Sequence, residues 1–236
     1  MFADERRMKI ADMVKKRTSI TSSELTEIFG VSVETIRKDL EYLESQGVLK
    51  RLHGGAIALG KLQNYTSLSG RSREHLSEKR SLALKACSYI KEGDFIALDA
   101  GSTAYELAAL LGERFSTLTV LTHSLEVMKI LEEKENIRVI LAGGIYLPAE
   151  KCFCGHLALD MVRQLHVAKC FIAPAAISLK FGISDHMGEL IAIQRAFLEI
   201  ADQACVLADS SKFESYAPLK ISGFESNFLC ITDSGL

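Results

Sequence analysis

Between Ile20 and Gly55 two apolar stripes at helical spacing stand either side of a lone glycine, and a basic, glycine-ended tail follows them. Thr21, with Glu24 three residues on, has the form of a capping box. Leu25, Ile28 and Phe29 then recur as one helix face does. Gly30 falls where a short helix pair needs a tight bend. Ser32 is placed to cap a second helix whose Ile36, Leu40 and Leu43 face inward, leaving Glu34, Thr35, Arg37, Lys38 and Glu41 on the opposite side. A further helix over residues 4–17 completes a three-helix core through Met8, Ile10, Met13 and Val14. Its Arg6, Arg7, Lys9, Lys15, Lys16 and Arg17 are expected on a solvated face.

A helix with one packed face and short polar or cationic side chains near its start fits a DNA major groove. Residues 47–55 alternate apolar and basic side chains and end on glycines, as a two-stranded wing would. Lys50, Arg51 and His53 would then meet phosphate or a minor groove. The expected module is a winged helix-turn-helix over residues 1–56 that binds operator DNA. Its bulk charge adds little, because residues 1–55 hold 10 Lys and Arg against 9 Asp and Glu. Affinity must come from where the cations lie and from doubling the module, so a homo-oligomer, dimer or tetramer, is expected.

The run VSVETIRKDLEYLESQGVLKRLHGGA, residues 31–56, resembles the DeoR family of bacterial transcription regulators. The resemblance implies DNA contacts from Ser32, Thr35, Arg37 and Lys38, with Arg51 and His53 in the wing. Glu34 joins that candidate set by its place on the exposed face.

Residues 57–75 are polar, with Gly60, Asn64, Ser67, Ser69 and Gly70, and read as a linker. Residues 76–236 alternate helical and strand patterns, and their short continuous apolar runs flanked by helices imply a mostly parallel, Rossmann-like α/β sheet buried on both faces. Ligands of such sheets bind beyond the carboxyl ends of strands. Four strands here end in small, polar or glycine residues: Asp99 through Thr103, Thr122-His123-Ser124, Gly143-Gly144, and Asp209 through Lys212. Gly101, Ser102 and Thr103 open a helix, so free backbone N–H groups, two hydroxyls and the positive helix end suit a phosphate. Lys212 adds a cation from another strand end. Residues 181–189 form a further candidate ligand-side loop, with Glu189 equally readable as the acidic first turn of a long helix.

The stretches LDAGST, LAGG, LADSSKF and ITD resemble the DeoR effector domain, which is related to ribose-5-phosphate isomerase. This implies a phosphorylated sugar held by Gly101, Ser102, Thr103 and Lys212, with Asp99 and Asp209 near its hydroxyls. His123 stands where many relatives carry Asn; it either titrates at the site or is bonded to backbone in its loop.

No apolar run approaches the roughly 18 residues of a membrane span, and the charged start is unlike a signal peptide. Cys87, Cys170, Cys205 and Cys230 lie in apolar contexts and read as core thiols in a reducing cytoplasm. No cofactor is implied. The expected function is a cytoplasmic repressor of a carbohydrate-metabolism operon, controlled by a phosphorylated sugar and without enzymatic activity. Two alternatives stand beside it: a sugar-phosphate isomerase-like enzyme, and a redox or metal sensor built on Cys152, Cys154 and His156.

Overall fold

The structure, a computed structural model, describes residues 3–17, 19–46, 48–52, 54–58, 61–225 and 227–236. They fall into two compact units, Met1–Leu62 and Gln63–Leu236.

In the first unit three helices, Ala3–Arg17, Ser22–Phe29 and Val33–Ser45, pack over a small antiparallel sheet. Thr21 and Glu24 form the full capping box, and Gly30 ends the second helix in the left-handed region at φ 62°. Ser32 caps the third through the Thr35 N–H. Ile10, Val14, Leu25, Ile36, Leu40 and Leu43 make the core. Met8 is not part of it: it is 67% exposed. Ile28 likewise lies outside the buried stripe.

Arg6 departs from the expected solvated face. Its guanidinium is buried, with Nε 2.6 Å from Asp39 Oδ2, while Arg7 Nε donates to Asp39 Oδ1 at 2.9 Å. Asp39 occupies the inward face of the third helix, and a carboxylate there needs cations from a neighbouring helix. The wing also differs from expectation. Its strands Leu49–Leu52 and Gly55–Ala58 are joined by a third, Ser19–Thr21, which pairs with Gly55–Ala58. Gly55 lies so close to this strand that a Cβ would sit 2.4 Å from the Ile20 carbonyl oxygen.

The second unit holds a six-stranded sheet in which every pairing is parallel. Its spatial order is Phe228–Ile231, Ala201–Leu207, Val167–Ile172, Phe95–Leu98, Leu118–Thr122, Ile137–Leu141. Alternate strand residues face opposite sides. Ile96, Leu98, Val120 and Phe171 meet helices Leu76–Cys87, Ser102–Arg114 and Leu125–Leu131. Ala97, Leu121, Cys170 and Ile172 meet His156–Val162 and Gly188–Ile200. Burial on both faces explains why these strands read as continuous apolar runs. Short antiparallel pieces absent from the sequence reading are added: a hairpin of Ile145–Leu147 with Cys152–Cys154, and a sheet of Ala176–Ser178, Gly182–Asp185 and Leu219–Ser222.

The expected linker, residues 57–75, is not a separate connector. Residues 57 and 58 finish a wing strand, and from Gln63 the chain belongs to the second unit. There Leu68 is buried, and Tyr65 Oη donates to Glu150 Oε1 at 2.8 Å.

Candidate functional site

On the first unit, the exposed face of helix Val33–Ser45 carries Glu34, Arg37, Lys38 and Glu41, with Ser32 at its start and Thr35 half-buried. Ser32 and Thr35 bond each other as well as the helix start, Oγ to Oγ1 at 2.9 Å. Arg37 bridges Glu34 at 2.9 Å and Glu41 at 3.4 Å, and Arg51 reaches Glu41 at 2.7 Å from the wing. Exposed pairs of this kind are screened by solvent and weak, so phosphate or a base edge can displace the carboxylates. The helix thus offers preordered cations on a surface that its buried face fixes in place. His53 lies outside the described residues.

On the second unit, strand Phe95–Leu98 leads to Leu118–Thr122 and Ile137–Leu141 on one side, whereas Val167–Ile172 and Ala201–Leu207 lie on the other. The chain reverses direction across the sheet at this strand, which opens a crevice beyond its carboxyl end. A small cavity of about 40 Å³ is found there. Its wall includes Ala100, Gly101, Ser102 and Thr103 after the first strand, and Ala173, Pro174 and Ala175 after Val167–Ile172. Gly101 has φ 131° and ψ 170°, a conformation that only glycine adopts readily, and so turns the chain directly into helix Ser102–Arg114. The first backbone N–H groups of that helix have no intrahelical partner.

Lys212 reaches the same cavity from the turn Ser210–Lys212, and no ion pair is found for it among the described residues. Four of the expected residues, Gly101, Ser102, Thr103 and Lys212, are therefore brought together. The others are not in the wall. Asp99 is buried beneath it, accepting from the N–H groups of Ala100 at 2.8 Å and Ala173 at 3.1 Å. Asp209 is buried too, one oxygen receiving Ser211 N–H at 3.1 Å and the other unpartnered. His123 is fully buried: Nδ1 donates to the Phe153 carbonyl at 2.9 Å, and Nε2 faces Ala100 N–H and Asp99 Oδ1, each at 3.2 Å. This is the backbone-bonded alternative, and the imidazole ties the strand end to the Cys152–Cys154 hairpin. Ser124 caps helix Leu125–Leu131. Gly143 is an exposed loop residue, and Gly144 serves close packing, a Cβ there falling 2.4 Å from the Cys154 carbonyl oxygen.

Four polar wall residues were missed in the sequence, and a fifth, Asp185, was reached only as part of a candidate loop. Arg71 makes a two-point contact with buried Glu150, at 3.1 and 2.5 Å. Lys79 donates to the carbonyls of Arg71 at 2.5 Å and Glu74 at 2.6 Å, and burial holds its ammonium below the usual lysine range. Asp185, from strand Gly182–Asp185, is pushed up to about 6 by burial. Gln194 completes the set from helix Gly188–Ile200. Asp185 falls inside the 181–189 segment singled out above; Lys79 and Gln194 lie in helical sequence, Arg71 in the linker-like stretch and Glu150 in a turn, none with a local signal of a site.

The thiols do not favour the sensor alternative. Cys152 and Cys154 are buried, and burial raises both thiols above their ordinary value. A thiol held protonated is a poor nucleophile and a poor metal ligand. Cys230, expected in the core, is exposed.

Residues 74–234 match the model of the DeoR C terminal sensor domain, and residues 6–61 that of the DeoR-like helix-turn-helix domain. An uncharacterized HTH-type transcriptional regulator of Bacillus subtilis, YulB, is 38% identical over the whole of this chain and 91% of its own length. The lactose phosphotransferase system repressor of Lactococcus lactis is 36% identical, over 88% of this chain and 82% of its own. A putative aga operon transcriptional repressor of Escherichia coli O157:H7 is 30% identical, over 98% and 87%. Among solved structures, ribose 5-phosphate isomerase A of Methanocaldococcus jannaschii aligns at 21% identity and a TM-score of 0.43, spanning 57% of this chain and about half, 53%, of that one.

Proposed function

Because this chain belongs to the DeoR family of transcriptional regulators and carries both of that family's domains, we propose that it represses a carbohydrate operon until a phosphorylated sugar enters the second unit. The observation that carries this reading is the cavity at the sheet's reversal point, where residues 101–103 begin a helix and Lys212 supplies a cation. Unpaired helix N–H groups, two hydroxyls and one ammonium make an anion seat. The relatives named as repressors of the aga operon and of the lactose phosphotransferase system support repression of a sugar operon, whereas one named as an L-fucose operon activator supports the sugar class alone. Ser32, Glu34, Thr35, Arg37, Lys38, Arg51 and His53 form the proposed DNA contacts, presented by a homo-oligomer to a repeated operator.

For an effector to weaken DNA binding it must favour one arrangement of the protein over another, with coupling of roughly 1–3 kcal/mol. Arg71 supports such a route. It lines the cavity from residues 63–75, the part of the second unit adjacent in sequence to the DNA-binding unit.

Binding without turnover is part of the proposal. The two carboxylates that could be proposed as an isomerase base, Asp99 and Asp209, are both buried outside the cavity wall, and Asp99 already accepts from several donors. Thermal shift of the full-length protein against a panel of phosphorylated sugars tests the reading. At least one should raise the melting temperature and release operator DNA in a gel shift, and Lys212→Ala should blunt both responses. No aldose–ketose interconversion should accompany them. Melting unmoved by every ester would refute the proposal.

A further inference from the structure

Gln194 is 2% exposed, and the two hydrogens of its amide are both committed. Nε2 donates to Asp99 Oδ2 at 3.0 Å and to Asp185 Oδ2 at 3.3 Å. The opposite amide orientation would aim Oε1 at two carboxylates, so the side chain is held one way round. That leaves Oε1 buried with no hydrogen-bond partner, on a residue of the cavity wall. An unmet buried acceptor is costly and points to a donor that arrives from outside the chain.

Asp185 stands beside it with the same demand. One oxygen accepts the His186 N–H at 2.7 Å and the other receives only the longer bond from Gln194. A carboxylate has acceptor capacity for about four hydrogen bonds, so lone pairs remain. Asp99 and Glu150 stand near this wall as well, and Arg71 is taken up by its pair with Glu150, so the wall is a poor seat for a ligand's anionic group. It is seated instead by residues 101–103 and Lys212. What the Gln194–Asp185 wall accepts is a group that donates hydrogen bonds and carries no negative charge.

We propose that Gln194 and Asp185 read adjacent hydroxyl groups of the effector and thereby decide which phosphorylated sugar the protein answers to. This rests on the cavity being a sugar-phosphate site. The donors of two neighbouring hydroxyls satisfy Oε1 and Asp185 together, and an ester lacking either hydroxyl leaves a buried acceptor unmet. Discrimination of this kind is large because the penalty falls on the wrong ligand.

The test uses the full-length protein with inorganic phosphate, glycerol 3-phosphate, ribose 5-phosphate, fructose 6-phosphate and tagatose 6-phosphate, binding being measured by calorimetry. The readout is the ratio of affinities, best sugar ester over glycerol 3-phosphate, which a merely structural role would leave unmoved. Gln194→Met and Asp185→Asn should each reduce that ratio about tenfold or more. Cooperative melting of the unliganded variants checks their fold, and should Gln194→Met fail it, Asp185→Asn decides alone. A ratio within about twofold of the wild type in the folded variants overturns the proposal while leaving the phosphate site standing. No binding of any probe by the wild type overturns the site itself and the proposal with it.

Discussion

Replacing Asp185 by Asn should stabilise the protein, and the gain should grow with pH. Burial raises the Asp185 carboxyl from its ordinary 3.8 to about 6. The native state therefore holds this proton over a range where the unfolded chain has released it, and native stability falls as pH rises from about 4 through 6. The full penalty on the ionised native state is about 3 kcal/mol near neutral pH. Asn carries no charge and escapes it. The substitution has its own cost, since Asn Nδ2 would oppose Gln194 Nε2, but losing that bond is worth about 1 kcal/mol at every pH. The slope is the signature: the stability difference between variant and wild type should widen by about 2 kcal/mol between pH 4.5 and pH 7.5. For a chain of this size that is roughly 4–8 °C in melting temperature. Scanning calorimetry of both proteins across the range measures it. Asp99, Arg71 and His186 surround Asp185 and remain in both proteins, so their contributions largely cancel in the difference. A difference that stays flat with pH would show that Asp185 is not held protonated by its surroundings. A residue that destabilises the fold at neutral pH and lines a cavity is the usual trade of stability for binding.

Three further outcomes concern the DNA-binding unit. Asp39→Ala leaves Arg6 buried without its partner and should destabilise this unit by about 3–5 kcal/mol, seen as early loss of hydrogen-exchange protection in residues 3–58. Arg37→Ala should weaken operator binding by about 1–3 kcal/mol in a gel shift if the guanidinium contacts a guanine. It should leave the melting temperature essentially unchanged, because its bridges to Glu34 and Glu41 are exposed. Gly55→Ala forces strands Gly55–Ala58 and Ser19–Thr21 apart, since the added carbon lands 2.4 Å from Ile20 O. Overpacking of this kind typically costs about 1–3 kcal/mol, and a lowered melting temperature of this unit checks it.

Local sequence sufficed for whatever depends on near neighbours. The Thr21–Glu24 capping box, the Gly30 turn, the Ser32 cap and the apolar face of Ile36, Leu40 and Leu43 stand where their spacing put them. The six apolar runs of the second half became the six parallel strands, and residues 101–103 opened a helix at the crevice. These features follow from short-range periodicity and capping chemistry, which the chain carries in consecutive residues. Charged and polar side chains in the core were not legible in this way. Nothing near Arg6 announces Asp39, thirty-three positions on, and nothing near Arg71 announces Glu150. His123 looked like a site residue until Phe153 and Asp99 were brought against it and sealed it away. Gln194 sat unremarked in a helix until Asp99 and Asp185 fixed its amide. Which polar group is buried, paired or left wanting a partner depends on what long-range folding sets within about 3 Å of it, and only the tertiary structure decides that.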